Sequence, residues 1–224
     1  LTLKAYTETY LKEEIADEAI VRRLGNFGLF LELAANNSGS IINYTTIARE
    51  IGVSANTIKG YYEILEDTLL SLKLLPFEKS IRKRIVKHPK IYLFDLGVLN
   101  AITKRLGVEP RVGTDYYGTL FEHFVILEIY RCISYQGREV EFFYWKTTNG
   151  HEVDLILKEG EQLTAIEIKS SSNIREKDLR GLKSFKSEFP NCKLICISKT
   201  KRAYLIDNIE ILPWEEGLKH YNPL

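Results

Sequence analysis

The sequence predicts a mixed α/β (α+β) chain in two parts: a helix-turn-helix unit with a two-stranded wing, then a central mixed sheet flanked by helices. Three observations predict it. Residues 43–66 read as two short helices joined by a glycine turn. Residues 140–211 read as closely spaced β-branched and apolar segments interrupted by one helical stretch. Two of those strand segments contain acids, Asp154 and Glu167, where carboxylates are rarely buried without a partner.

Composition bounds the answer. The 224 residues are 45% hydrophobic and 27% charged, as in globular proteins with one or two ordinary cores. A net charge of +1 gives no global attraction to nucleic acid, so any such affinity must come from a local patch. No apolar run approaches the ~20 residues of a membrane span and no secretory pattern is present, which leads us to expect no membrane partner and a cytoplasmic location. Cys132, Cys192 and Cys196 lack zinc-site spacing and are expected to be free thiols, the last two buried on one strand. The chain starts at Leu1 and contains no methionine, so a fragment of a longer protein is expected.

Taken in order, residues 1–25 read as a helical linker, with Tyr10, Leu11, Ile15, Ile20 and Val21 near helical spacing. Residues 26–110 read as the first domain. An apolar helix from Phe27 to Ala35 runs into the breaker cluster Asn36–Ser40. Asn43 is placed to cap a helix from Tyr44 to Ile51, and Ser54 to cap a second from Ala55 to about Glu66, with Ile58, Tyr62 and Leu65 as its apolar stripe. Leu69–Leu75 and Lys90–Phe94 read as the strands of a wing. The tip between them, Lys79 to Lys90, holds six Lys or Arg and no acid. DNA contact by such a unit would use Asn56, Thr57 and Lys59 at the start of the second helix, and Arg82, Lys83, Arg84 and Lys87 on phosphates. Tyr61, Tyr62, Glu63, Glu66 and Asp67 make that helix less basic than a groove reader, which keeps protein contact open as the alternative.

Residues 111–224 read as the second domain. Gly118 to Ile133 is a helix whose stripe of Gly118, Val125, Ile126 and Ile129 also contains Glu122, costly there unless paired or metal-bound. Strands follow at Val140–Thr147, Glu152–Leu157 and Leu163–Lys169, then a helix from Glu176 to Phe189, then strands at Lys193–Ser198 and Ala203–Ile211. Alternation puts Glu167 and Lys169 on one face, and a hairpin can bring Asp154 to that face. Two carboxylates beside an ammonium suit a hard divalent cation and a phosphodiester.

Asp154, twelve intervening residues and Glu167-Ile168-Lys169 resemble the D-(x)n-E-x-K signature of the PD-(D/E)XK nuclease-like superfamily, with Val153 in place of the usual proline. The order α-β-β-β-α-β matches that fold's core, in which an acid of the first helix joins the site; Glu122 stands at that place. The resemblance implies Mg²⁺ or Mn²⁺ held by Asp154, Glu167, Glu122 and the Ile168 carbonyl, with Lys169 stabilising the transition state of DNA hydrolysis. Together with Lys90-Ile91-Tyr92-Leu93-Phe94-Asp95-Leu96-Gly97 and Gly150-His151-Glu152-Val153-Asp154, these stretches resemble the C-terminal region of prokaryotic AAA-type ATPases that carries DUF4143. That resemblance places ATP only in an upstream ATPase domain, for this chain has no G-x4-G-K-[ST] loop. The alternative is a non-catalytic docking module of the same fold that regulates the ATPase, and an oligomer is compatible with either.

Overall fold

The computed structural model describes residues 24–78 and 88–221. They fall into two compact units, 24–73 with 88–109 and 74–78 with 110–221. The expected N-terminal linker and the basic segment with Arg82, Lys83, Arg84 and Lys87 lie outside the described residues.

In the first unit, α1 (Leu24–Asn36) is followed by α2 (Tyr44–Ile51) and α3 (Ala55–Asp67). The Asn43 side chain accepts the N–H groups of Thr45 and Thr46, and so opens α2. Gly52 closes it at φ +79°, a left-handed cap that only glycine adopts without strain. Ser54 Oγ accepts the Thr57 N–H at 3.0 Å and opens α3. Ile58, Tyr62 and Leu65 are buried, and Tyr61 with them. The ring of Phe27 meets Tyr61 edge-on at 5.1 Å, and Phe30 meets Tyr62 at 4.8 Å. These tyrosines are therefore core residues. Residues 71–73, the start of β1 (Ser71–Pro76), and β2 (Lys90–Leu93) belong to this unit, and Ile41 bridges antiparallel to Lys90. Asp95 accepts the Val98 N–H and starts α4 (Leu96–Ile102).

The second unit opens with α5 (Asp115–Tyr135), capped by Thr114. β3 (Glu141–Lys146), β4 (Glu152–Glu159) and β5 (Gln162–Lys169) form an antiparallel meander. A 3₁₀ turn (Glu176–Leu179) leads into α6 (Arg180–Glu188), which returns the chain so that β6 (Cys192–Ser198) runs parallel to β5. β7 (Tyr204–Ile206), β8 (Ile209–Pro213) and α7 (Trp214–Lys219) complete it. The strand order is β1–β3–β4–β5–β6–β8–β7, with Leu75 and Pro76 of β1 parallel to Phe143 and Tyr144.

The sheet has two buried faces. On one, α6 inserts Leu182 and Phe185 among Phe143, Ile156, Ala165 and Cys196. On the other lie α5 and α7; Gly217 comes so close to Ile197 that a Cβ there would stand 3.0 Å from its Cγ1. The architecture is mixed α/β, as the sequence predicts. No helix among the described residues is long and apolar enough to cross a membrane.

Two expected elements differ. The single strand Ala203–Ile211 is a hairpin, because Asp207 and Asn208 adopt φ +47° and +62°. Two consecutive left-handed residues make the turn whose twist matches paired strands, and Asp and Asn tolerate it. The helix expected from Glu176 begins as 3₁₀, with the Arg175 N–H bonded to Asp178 Oδ2 at 2.9 Å.

Candidate functional site

The site lies where β4 and β5 part. Their pairing runs from Glu159↔Gln162 to Leu155↔Ile166 and stops there. Between β3 and β4 the register slips: Phe143 faces Ile156, but Trp145 faces Val153. Such a bulge re-aims the side chains beside it. Val153 and Ile156 consequently share the α6 face despite their odd separation, and Asp154 sits at the irregularity. Instead of continuing the ladder, the Ile168 N–H donates to Asp154 Oδ2 at 2.8 Å.

Glu167 is register partner to Cys196 and faces α6. Gly181 on that helix abuts it: a Cβ there would stand 3.5 Å from Glu167 Oε2 and 1.8 Å from the Glu152 carbonyl oxygen. Asp154 and Glu167 are 7% and 6% exposed, an unusual burial for two neighbouring carboxylates. Lys169 Nζ meets Glu167 Oε1 at 2.5 Å, whereas Glu167 Oε2 is buried with no hydrogen-bond partner among the described residues.

The electrostatics follow from this crowding. Burial, reinforced by the Asp154 and Glu122 carboxylates, holds Glu167 well above the ordinary carboxylate range against the pull of Lys169. Burial also opposes the Lys169 charge, but Asp154 and Glu167 outweigh it and raise its pKa above the usual lysine value. Burial and then the Glu167 carboxylate push the Cys196 thiol up, so it stays protonated.

Glu122 comes from α5, across the sheet from α6, and is half-buried. It lines an open cleft of about 700 Å³ at the end of β5, together with Gly118, Ile168, Lys169, Ser170 and Lys199. The structure therefore brings Asp154, Glu167 and Lys169 together, with Glu122 within electrostatic reach. Among the described residues no group of three or more His, Cys, Asp or Glu side chains is arranged to hold a metal ion. The oxygen donors nonetheless fit a cation that keeps its waters: Mg²⁺ typically binds through one or two carboxylates, and Glu167 Oε2 is a buried oxygen without a partner among the described residues. Asp154, Glu167 and the Ile168 carbonyl are the oxygen groups that would hold it.

On α3, Asn56 and Lys59 are exposed, and Lys59 Nζ lies 3.7 Å from Glu63. Thr57 is partly committed to the helix cap, its hydroxyl 2.8 Å from Ser54 Oγ. Sequence reasoning missed Gly181 and Lys199. The helical spacing around Gly181 carries no sign that it faces β4, and a lysine just after a strand reads as ordinary surface.

Comparison with known proteins narrows the resemblance. Residues 117–216 match DUF4143. That family is described as a domain of unknown function, and the match takes in α5, β3 to β8 and the start of α7. DUF4143 does not reach the N-terminal part, where residues 1–110 match DUF8612, also a domain of unknown function. Two mycobacterial relatives, uncharacterized protein Rv2008c of Mycobacterium tuberculosis and Mb2031c of Mycobacterium bovis, are 26% identical over 172 residues, which is 75% of this chain and 37% of each relative. Uncharacterized protein MJ1637 of Methanocaldococcus jannaschii is 24% identical over 148 residues, 62% of this chain and 31% of its own. The chain thus spans about a third of the length of the relatives it matches. The match to the solved structure of protein VC1899 from Vibrio cholerae covers 100% of this chain and 55% of that one at 13% identity, with a TM-score of 0.31.

Proposed function

We propose that the second unit is a PD-(D/E)XK-type domain that hydrolyses DNA phosphodiesters with Mg²⁺ or Mn²⁺, and that the first unit is a winged helix-turn-helix that holds the DNA. One observation carries the reading: Glu167 Oε2 is buried, unpartnered among the described residues and adjacent to a second buried carboxylate. Stability alone would favour an apolar or fully bonded residue there. A site that must bind a cation accepts that loss.

In this reading Asp154, Glu167 and the Ile168 carbonyl hold the metal, and Glu122 completes or orients the site. Lys169 faces the substrate phosphate. Relatives more than twice the length of the matched segment leave room for a further module, which this reading takes to be an AAA-type ATPase. Supercoiled DNA incubated with millimolar Mn²⁺ tests the reading: nicking by the wild type and none by Glu167→Ala is expected, and intact plasmid with both removes it.

A second reading has its own support. The Lys169–Glu167 pair at 2.5 Å is what a non-catalytic docking module would keep, and no three-carboxylate group is preformed among the described residues. Under it, neither cleavage nor metal-dependent stabilisation is expected.

A further inference from the structure

We propose that Lys199, positioned by Tyr117, seats a DNA backbone phosphate beside the one that Lys169 faces, so that the cleft takes a polynucleotide strand and not an isolated phosphodiester. The inference rests on the phosphodiester reading of Asp154, Glu167 and Lys169. It makes Lys199 a phosphate-binding residue and Tyr117 the residue that positions it.

Lys169 pairs in register with Ser198, so Lys199 is one residue beyond it on the adjacent parallel strand. Lys199, the residue after β6, reaches Tyr117 of α5, while Glu167 lies against Gly181 of α6. Both lysines line the same cleft. Lys199 is half-buried, yet it forms no ion pair among the described residues. Its Nζ donates to Tyr117 Oη at 2.6 Å and lies 4.9 Å from the centre of that ring. A partly desolvated ammonium with a phenol as its neighbour retains donors for a charged acceptor, and phosphate oxygens are among the strongest.

The surroundings are organised for the same purpose. The Lys199 N–H donates to the Ser171 carbonyl at 3.2 Å, tying the end of β6 to the loop after β5. The Ser171 hydroxyl is turned back onto Asn173, whereas Ser170 and Ser172 line the cleft and can donate to phosphate oxygens. Because Tyr117 already holds the Lys199 side chain, little rotamer freedom remains to be given up on binding. Asp115 and Glu122 line the cleft too, which confines a bound anion to the β5–β6 end where the lysines stand.

The test is fluorescence anisotropy of a labelled DNA duplex in EDTA across a salt series, with wild type, Lys199→Ala, Lys199→Gln and Lys199→Arg. A protein that neutralises one phosphate fewer shows a slope of log K against log salt smaller by about 0.9. That reduction is expected in the Ala and Gln variants, with Arg restoring the slope. Gln keeps the side-chain bulk, so a folding defect confined to Ala does not blunt the test. An unchanged slope in Gln, or no binding by the wild type, overturns the proposal. Because no metal is present, a reduced slope alongside failure to nick DNA in Mn²⁺ upholds the phosphate seat and removes only the enzyme reading.

Discussion

Glu167 and Lys169, two residues apart on β5, meet at 2.5 Å between Oε1 and Nζ, while the other oxygen of Glu167 is buried without a hydrogen-bond partner among the described residues. Half of the carboxylate is neutralised and half is not. Both predictions about this side chain follow from that asymmetry.

Burial and Asp154 raise Glu167 above its unfolded pKa. The folded state therefore binds more protons than the unfolded chain once pH passes the ordinary glutamate range. Stability falls as pH rises from there to the raised value, and levels beyond it. Glu167→Gln lacks this titration. Thermal melts should show Glu167→Gln gaining on the wild type as pH rises from about 4 towards neutrality. A gap that does not change with pH would contradict the raised pKa.

Divalent metal should relieve the same repulsion. A cation bound only by the folded state adds about 2.7 kcal/mol at a hundredfold excess over Kd, on the order of 5–10 °C in Tm for a chain of this size. Millimolar Mn²⁺ should raise the wild-type Tm and leave Glu167→Ala unmoved. A flat wild-type Tm favours the docking module.

Gly181 and Gly118 offer a contrast between two helices. A Cβ at Gly181 would lie 1.8 Å from the Glu152 carbonyl oxygen, so Gly181→Ala must push α6 off β4 two residues before Asp154. A destabilisation of about 3 kcal/mol is expected from such overpacking. A Cβ at Gly118 would lie 3.6 Å from Ser170 Oγ, an ordinary contact, so Gly118→Ala should stabilise α5 by about 0.5–1 kcal/mol. Urea melts of the two variants check both signs.

The basic segment makes a separate prediction, from sequence alone. Replacing Arg82, Lys83 and Arg84 together with Ala should flatten the salt dependence of DNA binding, by about 0.9 in slope for each phosphate they neutralise. An unchanged slope removes DNA contact by this segment.

Much of the fold was legible because local chemistry decides it. Asn43, Gly52 and Ser54 are capping residues acting within a few positions of themselves, and α2 and α3 begin or end where they stand. The stripe Val125, Ile126 and Ile129 marked the buried face of α5 at helical spacing. Where the local signal is ambiguous, sequence misleads: Asp207-Asn208 fits a strand's polar positions as well as a turn, and only pairing between β7 and β8 selects the turn.

For the site, the sequence by itself determined which groups are present and which share a strand face: Glu167 and Lys169 are bound to one side of β5 by the period of two. It could not determine that Asp154 joins them through a bulge, that Glu122 approaches from the opposite helix layer, or that one Glu167 oxygen is left without a partner among the described residues. Those depend on the slip between β3 and β4 and on how closely Gly181 lets α6 approach the sheet. Face and spacing are properties of one strand, written in consecutive residues. Burial, and the carboxylate repulsion that comes with it, arises only when separate elements close over the same few side chains.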